Sequence, residues 1–386
     1  MKSQLGTRIP ELDGIRAIAI WMVLLLHILV FSNRPALLFL PRPVLEIIGH
    51  GWLGVDLFFL LSGFLITGIL LDTKEYPSYF KNFYIRRFLR IMPLYFAVVI
   101  VWALAYRGFG RYFALSSIFG ANLSPLFHIH APHGPDVLWS LAVEEHFYLL
   151  WPAIVFLLSR RKVWVLCGIL FLGSPILRVI FAAKGMNPAL MYQLTWFRLD
   201  GLAAGGAMAI WVRSDLFSKK NTQILVGILM AALCVISVAG LPFHIFGRAT
   251  PAATGFRYTQ AYLFFGSFFL LTLVDRDAKW TAFLRNPFMQ LSGALSYCLY
   301  LVHFSVGDLF QFFYKHQHSL NLGPDTLVLT RGAFMIVGSF AIALFTRKYL
   351  EAPMLALKDK FAAQKPAADP HPLPPLNAEP IPAPAD

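Results

Sequence analysis

Ile9 to Ser32 reads IPELDGIRAIAIWMVLLLHILVFS, and its reading decides the fold. Almost every residue after Asp13 is apolar, and the run is long enough to cross a bilayer, which takes about 20 residues. Arg16 and His27 interrupt it. They stand eleven positions apart, which at about 100° per residue brings them to within about 20° of one helical face, with a rise of roughly 16 Å between them. One face of the first helix thus carries a cation at its mouth and an imidazole deep inside. Ionisable groups at such depth are costly and mark functional sites by default.

The same pattern repeats along the chain. Of 386 residues, 58% are hydrophobic and only 14% charged, with a mean hydropathy of +0.62, against roughly 25% charged residues in a soluble domain. The expectation is an all-α polytopic membrane bundle with no stretch of soluble-domain patterning. Ten spans are expected, at about 15–33, 52–71, 91–106, 139–158, 163–183, 193–212, 223–240, 258–274, 290–313 and 326–346. The first run is too long for a cleaved signal peptide and no small-residue cleavage site follows it. A net charge of +13 raises the question of nucleic acid, but basic loops are how membrane proteins set their orientation, so no nucleic-acid partner is expected. With both termini cytoplasmic, every inside segment is at least as basic as its outside neighbours. Cys167, Cys234 and Cys298 lie in separate apolar runs and support neither a disulfide framework nor a metal site. Residues 8–355 form the membrane domain, and the Pro/Ala-rich residues 363–386 read as a disordered cytoplasmic tail.

That topology assigns a depth to each intramembrane charge. His27, Asp56, Glu144, Glu145, Arg178, Arg198, Asp200, His303, Asp308 and Arg331 all fall in the outer half. A polar cavity in the outer leaflet accounts for them, with ion pairing as the structural alternative for part of the set. A second cluster, Arg86, Arg87 and Arg90, lies on the cytoplasmic side within about one helical turn, with Pro93 in the first turn of the helix that follows. Guanidiniums so grouped suit phosphate, whether of a bound ligand or of lipid headgroups.

Several ordered motifs carry a family resemblance: D-G-x-R-A-x-A from Asp13, with His27 eleven after the Arg; FFLLSGF from Phe58; RRFLRIMPLY from Arg86; and WSLAVEEHFYLLWP from Trp139. FRLDGLAAGG from Phe197, LSYCLYLVH from Leu295 and YLEAP from Tyr349 agree with them. Over about residues 8 to 355 the chain resembles the membrane-bound acyltransferase 3 family. The resemblance implies a ten-helix bacterial inner-membrane O-acyltransferase of the stand-alone type, without an added hydrolase-like domain. Such a protein moves an acyl group, usually acetyl, from cytoplasmic acyl-CoA to a hydroxyl of a surface or exported glycan.

On that reading acyl-CoA is a donor substrate rather than a resident cofactor. Arg16, Arg86, Arg87 and Arg90 are its expected ligands, and a carbohydrate approaches from the outer cavity. His27 is the expected general base or acyl relay, since an imidazole ordinarily titrates near neutral pH. Glu144 and Glu145 are expected to assist it in catalysis. Asp13, Asp56, Trp139, Arg198, Asp200 and His303 are expected around the acceptor. Ser62 either supplies a hydrogen bond in the core or belongs to a close-packing SGF element, and His128, His130 and His133 belong to an outside loop rather than a metal centre. The bilayer is a further partner, and a homo-oligomer or a polysaccharide-biosynthesis complex is an open assembly. A transporter or flippase, which also places charges at mid-membrane, is the competing function class, followed by a non-catalytic scaffold of an export complex.

Overall fold

A computed structural model describes residues 9–29, 40–243, 250–316 and 322–359. Among them there is no strand, and each of the ten expected spans falls on a helix. We number these α1 (Pro10–Leu29), α2 (Leu53–Thr73), α3 (Tyr79–Ala105), α4 (Leu138–Leu157), α5 (Arg160–Ala183), α6 (Leu199–Trp211), α7 (Lys219–Gly240), α8 (Pro251–Val274), α9 (Pro287–His316) and α10 (Pro324–Thr346). The last four expected residues of the first span, and the 363–386 tail, lie outside the described residues.

Eight helical stretches, on all of these except α6 and α8, are long and apolar enough to cross a membrane by themselves. The two exceptions have a common physical reason. α6 has only 13 residues, about 20 Å of rise, but Leu202, Ala203, Gly205, Gly206 and Ala209 are all buried by neighbouring helices. α8 buries most of its length, including the polar Thr254, Thr259 and Gln260. A helix that meets protein rather than lipid need not be uniformly apolar. α7 is the opposite case and buries just Thr222, Val226 and Gly240.

α3 differs from the expected short span. It starts at Tyr79, twelve residues earlier than the expected 91, and Pro93 lies in its interior rather than in a first turn. The basic segment before Pro93 hides the helix from a hydropathy reading while leaving its geometry intact. Proline removes one backbone donor there, a tolerable loss in a long membrane helix whose neighbours re-satisfy the freed groups.

Two packing arrangements fix the site. α1 and α9 run side by side in the same direction, and the start of α1 is clamped. Gln290 Nε2 donates to the Pro10 carbonyl at 2.8 Å, Arg285 pairs with buried Glu11 at 2.9 Å, and the Trp21 indole reaches Ser292 at 3.2 Å. α2 and α6 approach closely through glycine: a Cβ at Gly63 would strike the Leu202 backbone, and one at Gly205 the backbone of Leu60 and Phe64. Such small-residue contacts are the usual glue of helices in lipid, where the hydrophobic effect supplies little.

Candidate active site

The bundle encloses a cavity at each end. The first, towards the end where α1 begins, has a volume of about 220 Å³ and brings Arg16 of α1 together with Ser62, Arg87, Arg90, Glu144 and Glu145. A side pocket of about 80 Å³ adds Arg86 and shares Arg87 and Arg90 with it. The second, of about 760 Å³, opens near the end of α1 and is lined by His27, Trp52, His133, Trp139, Tyr258 and Arg257 among others.

In the first cavity Arg87 of α3 lies against aromatic faces, and the Glu144 and Glu145 carboxylates of α4 line the same space. Arg87 lies 4.9 Å from the Tyr148 ring centroid, a cation–π contact. Glu144 accepts from the Ser62 hydroxyl at 2.7 Å and from the Tyr148 hydroxyl at 3.0 Å. Arg16 is paired with Asp13 at 2.6 Å, one turn earlier on α1. Arg86 and Arg90, four residues apart, share one face of α3. The cluster has the geometry of an anion site with a narrow polar throat: several forked donors at the mouth, and hydroxyls and carboxylates further in.

In the second cavity His27 meets His303, whose ring is fully buried. His27 Nδ1 and His303 Nε2 are 2.9 Å apart, and His303 Nδ1 lies 2.8 Å from the Tyr300 carbonyl and 3.1 Å from that of Leu299. These contacts fix the tautomers of the neutral pair. A carbonyl only accepts, so His303 Nδ1 carries the hydrogen and His303 Nε2 is an acceptor. His27 Nδ1 must then be the donor, which leaves the lone pair on His27 Nε2. The Phe304 ring, 4.1 Å from the His27 ring, fixes its plane, and Arg331 donates to the His27 carbonyl at 3.2 Å. An oriented neutral imidazole with a basic Nε2 beside a cavity can take a proton or attack a carbonyl carbon.

The structure redistributes the charges expected to share one depth. Glu144 and Glu145 lie in the first cavity with Arg16 and Arg87, not beside His27. Glu144 reaches Ser62 midway along α2, so the two carboxylates sit deeper than a count from the end of α4 implies. Ser62 is therefore a hydrogen-bond donor as well as part of a packing element. Asp13 is the counter-ion of Arg16 and lines neither cavity. Asp56, Arg198 and Asp200 also line neither and are fully buried. Arg198 pairs with Asp56, which also accepts from Tyr262 at 2.6 Å. Arg178 pairs with Asp200 at 2.7 Å and donates to the carbonyls of Phe197 and Gly255. Arg198 Nε and Nη1 have no hydrogen-bond partner among the described residues, but the guanidinium lies 4.0 Å from the Tyr258 ring centroid. This is a buried knot in which each carboxylate is paired with a guanidinium from another helix or turn. Trp139 lines the second cavity.

Three features escaped the sequence reading. Tyr300 lines both cavities and its hydroxyl meets that of Ser140 at 2.7 Å. Tyr192, Tyr258 and Trp52 extend the aromatic wall begun by Trp139. His133, in the loop before α4, bonds to Asp308 at 2.9 Å, and Asp308 also accepts from the Tyr106 hydroxyl at 2.7 Å. That bond to Asp308 raises the His133 imidazole above its ordinary value, against the pull of partial burial. Among the described residues no three His, Cys, Asp or Glu side chains converge as a metal would require.

A family model described as an acyltransferase domain matches residues 9–348. The chain is 27% identical over 383 residues to the peptidoglycan O-acetyltransferase OatA of Listeria monocytogenes, covering 90% of this chain and 56% of the relative. It is 29% identical over 247 residues to YrhL of Bacillus subtilis, named provisionally as a peptidoglycan O-acetyltransferase, covering 57% of this chain and 36% of the relative. A Staphylococcus aureus protein named provisionally as an O-acetyltransferase is 28% identical over 337 residues, covering 77% of this chain and 50% of the relative. The chain thus spans about half the length of the curated relatives it matches. No solved structure matches it significantly.

Proposed function

Since the chain belongs to the acyltransferase domain family, we propose that it is a membrane O-acyltransferase that moves an acyl group, acetyl first among the candidates, from acyl-CoA to a glycan hydroxyl. The observation that carries this is the histidine pair: His27, which lines the larger cavity, is oriented by a bond from its Nδ1–H to the buried His303. The relatives' names support acetyl as the group and a cell-wall glycan as the acceptor class.

Acyl-CoA is polyanionic, and the forked donors Arg86, Arg87 and Arg90 suit its phosphates. The uncharged pantetheine arm then follows the first cavity past Ser62 and Glu144, whose oxygens can accept from its amides. Positive loops at the same end favour the cytoplasm for the donor, which puts the acceptor on the far side of a bacterial inner membrane. The aromatic wall of Trp139 and Tyr258 suits the apolar faces of a sugar.

Two sequences of bond changes use the same lone pair. In direct transfer, His27 Nε2 takes the hydroxyl proton as the sugar oxygen attacks the thioester carbonyl. The C–S bond breaks, and the imidazolium returns the proton to the departing thiolate. In the relay, Nε2 itself displaces the thiolate to give an acyl-imidazolium. The sugar oxygen then attacks its carbonyl, the C–N bond breaks, and the freed Nε2 takes the hydroxyl proton and yields it to the thiolate. His303 holds the Nδ1 hydrogen in both.

The test uses membranes with equal amounts of wild type and His27→Ala, given acyl-labelled CoA and a surface-glycan fraction. Label is expected in the glycan for the wild type and close to none for the variant; equal labelling removes His27 from the mechanism. Label retained on the protein without acceptor selects the relay.

A further inference from the structure

The two cavities are separated by very little. Val55 of α2 and Tyr300 of α9 line both of them. Phe58 and Ser140 face only the first, whereas Val137 and Trp139 face only the second. Tyr300 is therefore the polar member of a two-residue partition between the guanidinium end and the imidazole end. The Tyr300 and Ser140 hydroxyls meet at 2.7 Å, and both reach the Val137 carbonyl, Ser140 at 3.2 Å and Tyr300 at 3.5 Å. The phenol is latched by neutral hydrogen bonding to Ser140 of α4 and to the Val137 carbonyl just before it, and Phe58 meets its ring edge-on at 6.2 Å.

The backbone of the same residue has a separate task. Its carbonyl holds the hydrogen of His303 Nδ1 and so fixes the His27 tautomer. A side-chain rotation about χ1 breaks the latch and moves the ring while the helical carbonyl stays in place. The partition can open without disturbing the histidine pair.

We propose that Tyr300, latched by Ser140, is the gate between the donor and acceptor cavities. Closed, it keeps water from the acceptor side away from the donor arm. Open, it lets the acyl end cross to His27. The direction of passage rests on the acyl-transfer reading, but the partition itself does not.

The test therefore reads access, not activity. The full chain carries Cys234→Ser, which removes the exposed thiol, and Leu65→Cys as a reporter lining the first cavity. It is reconstituted in one orientation in vesicles, and a charged, membrane-impermeant methanethiosulfonate is added from either side without acyl-CoA. With Tyr300 present, labelling is expected from the guanidinium side alone. With Tyr300→Ala, labelling from the imidazole side should rise at least about 10-fold, and Tyr300→Phe, which removes the latch, and Ser140→Ala, which weakens it, should give smaller rises. The conservative pair keeps the test intact where Tyr300→Ala fails to fold. Equal imidazole-side labelling in all backgrounds overturns the gate, as does no labelling from either side. Acyl-CoA hydrolysis in the absence of glycan should rise in the same order. If labelling follows the prediction and no variant or wild type transfers acyl groups, the gate stands and the acyltransferase reading falls.

Discussion

His27 and His303, on helices that run side by side in one direction, are joined Nδ1 to Nε2 at 2.9 Å. The buried member is anchored to the backbone, and the other lines the larger cavity, where the proposed mechanism uses its Nε2. This makes His303 a positioning residue, with a distinctive requirement: an acceptor atom at the place of its Nε2. His303→Gln can present its side-chain oxygen there, whereas His303→Leu cannot. Loss of an imidazole's orienting partner costs up to about 10⁴-fold in triad enzymes, so His303→Leu should lower kcat by 10²-fold or more, to order of magnitude. His303→Gln should recover a large part of it, with KM for acyl-CoA unchanged in both. Equal losses in the two variants would contradict the tautomer assignment.

Arg87 is held on the Tyr148 ring beside Glu144 and Glu145. If it binds a donor phosphate, Arg87→Gln should raise KM for acyl-CoA by about 10- to 100-fold, the size of one charge-assisted hydrogen bond, with a smaller change in kcat. Arg87→Lys should restore little, because it loses both the fork and the ring contact. An acyl-pantetheine donor without phosphates is the control. Its KM should not respond to either substitution, and a matching rise would assign Arg87 to the thioester end instead.

The helical face shared by Arg16 and His27 was legible because a helix has one period and the two residues lie on one element. Their partners were not. Glu144 and Ser62 meet across α2 and α4, and His27 and His303 across α1 and α9, and no periodicity carries that information between helices. Asp56, Arg198 and Asp200 misled for a related reason. A charge in an apolar run looks the same whether it lines a wet cavity or closes a dry ion pair, and only the three-dimensional neighbour decides. Tyr300 and Ser140 lie within quoted motifs but were not singled out, since hydroxyl groups cost little in a membrane helix and do not stand out from its composition. The start of α3 was hidden by its arginines, which depress hydropathy without disturbing the helix.

The Asp56–Arg198 pair should matter for folding rather than for substrate. Asp56→Ala leaves a buried guanidinium without its counter-ion, a change that typically costs about 3–5 kcal/mol. The expected result is a lower thermal midpoint in detergent and a loss of monodisperse protein, while His27→Ala remains at the wild-type value. An Asp56→Ala protein of normal stability that fails only in acyl transfer would return this pair to the active site.

His133 and Asp308 give the protein a pH-dependent tether between the loop before α4 and the end of α9. The His133 pKa is raised, first by its hydrogen bond to Asp308 and also by the charges of Asp308 and Asp136, against partial burial and the charge of Arg331. A raised folded-state pKa means that the charged form is favoured by folding. The contribution is thus complete below the ordinary imidazole value of about 6.5 and disappears as pH climbs through the raised value. With His133 more than half exposed at its side chain, the effect should be about 0.2–1 kcal/mol, as for other solvent-screened pairs. Thermal midpoints of wild type and His133→Gln, measured in detergent from pH 5 to pH 9, should differ most at the acid end and converge towards the alkaline end. Asp308→Asn, which can still accept from Tyr106, should lose the same pH-dependent margin. A margin that stays constant across the range would mean that the contact acts as a neutral hydrogen bond and that the loop is held without charge.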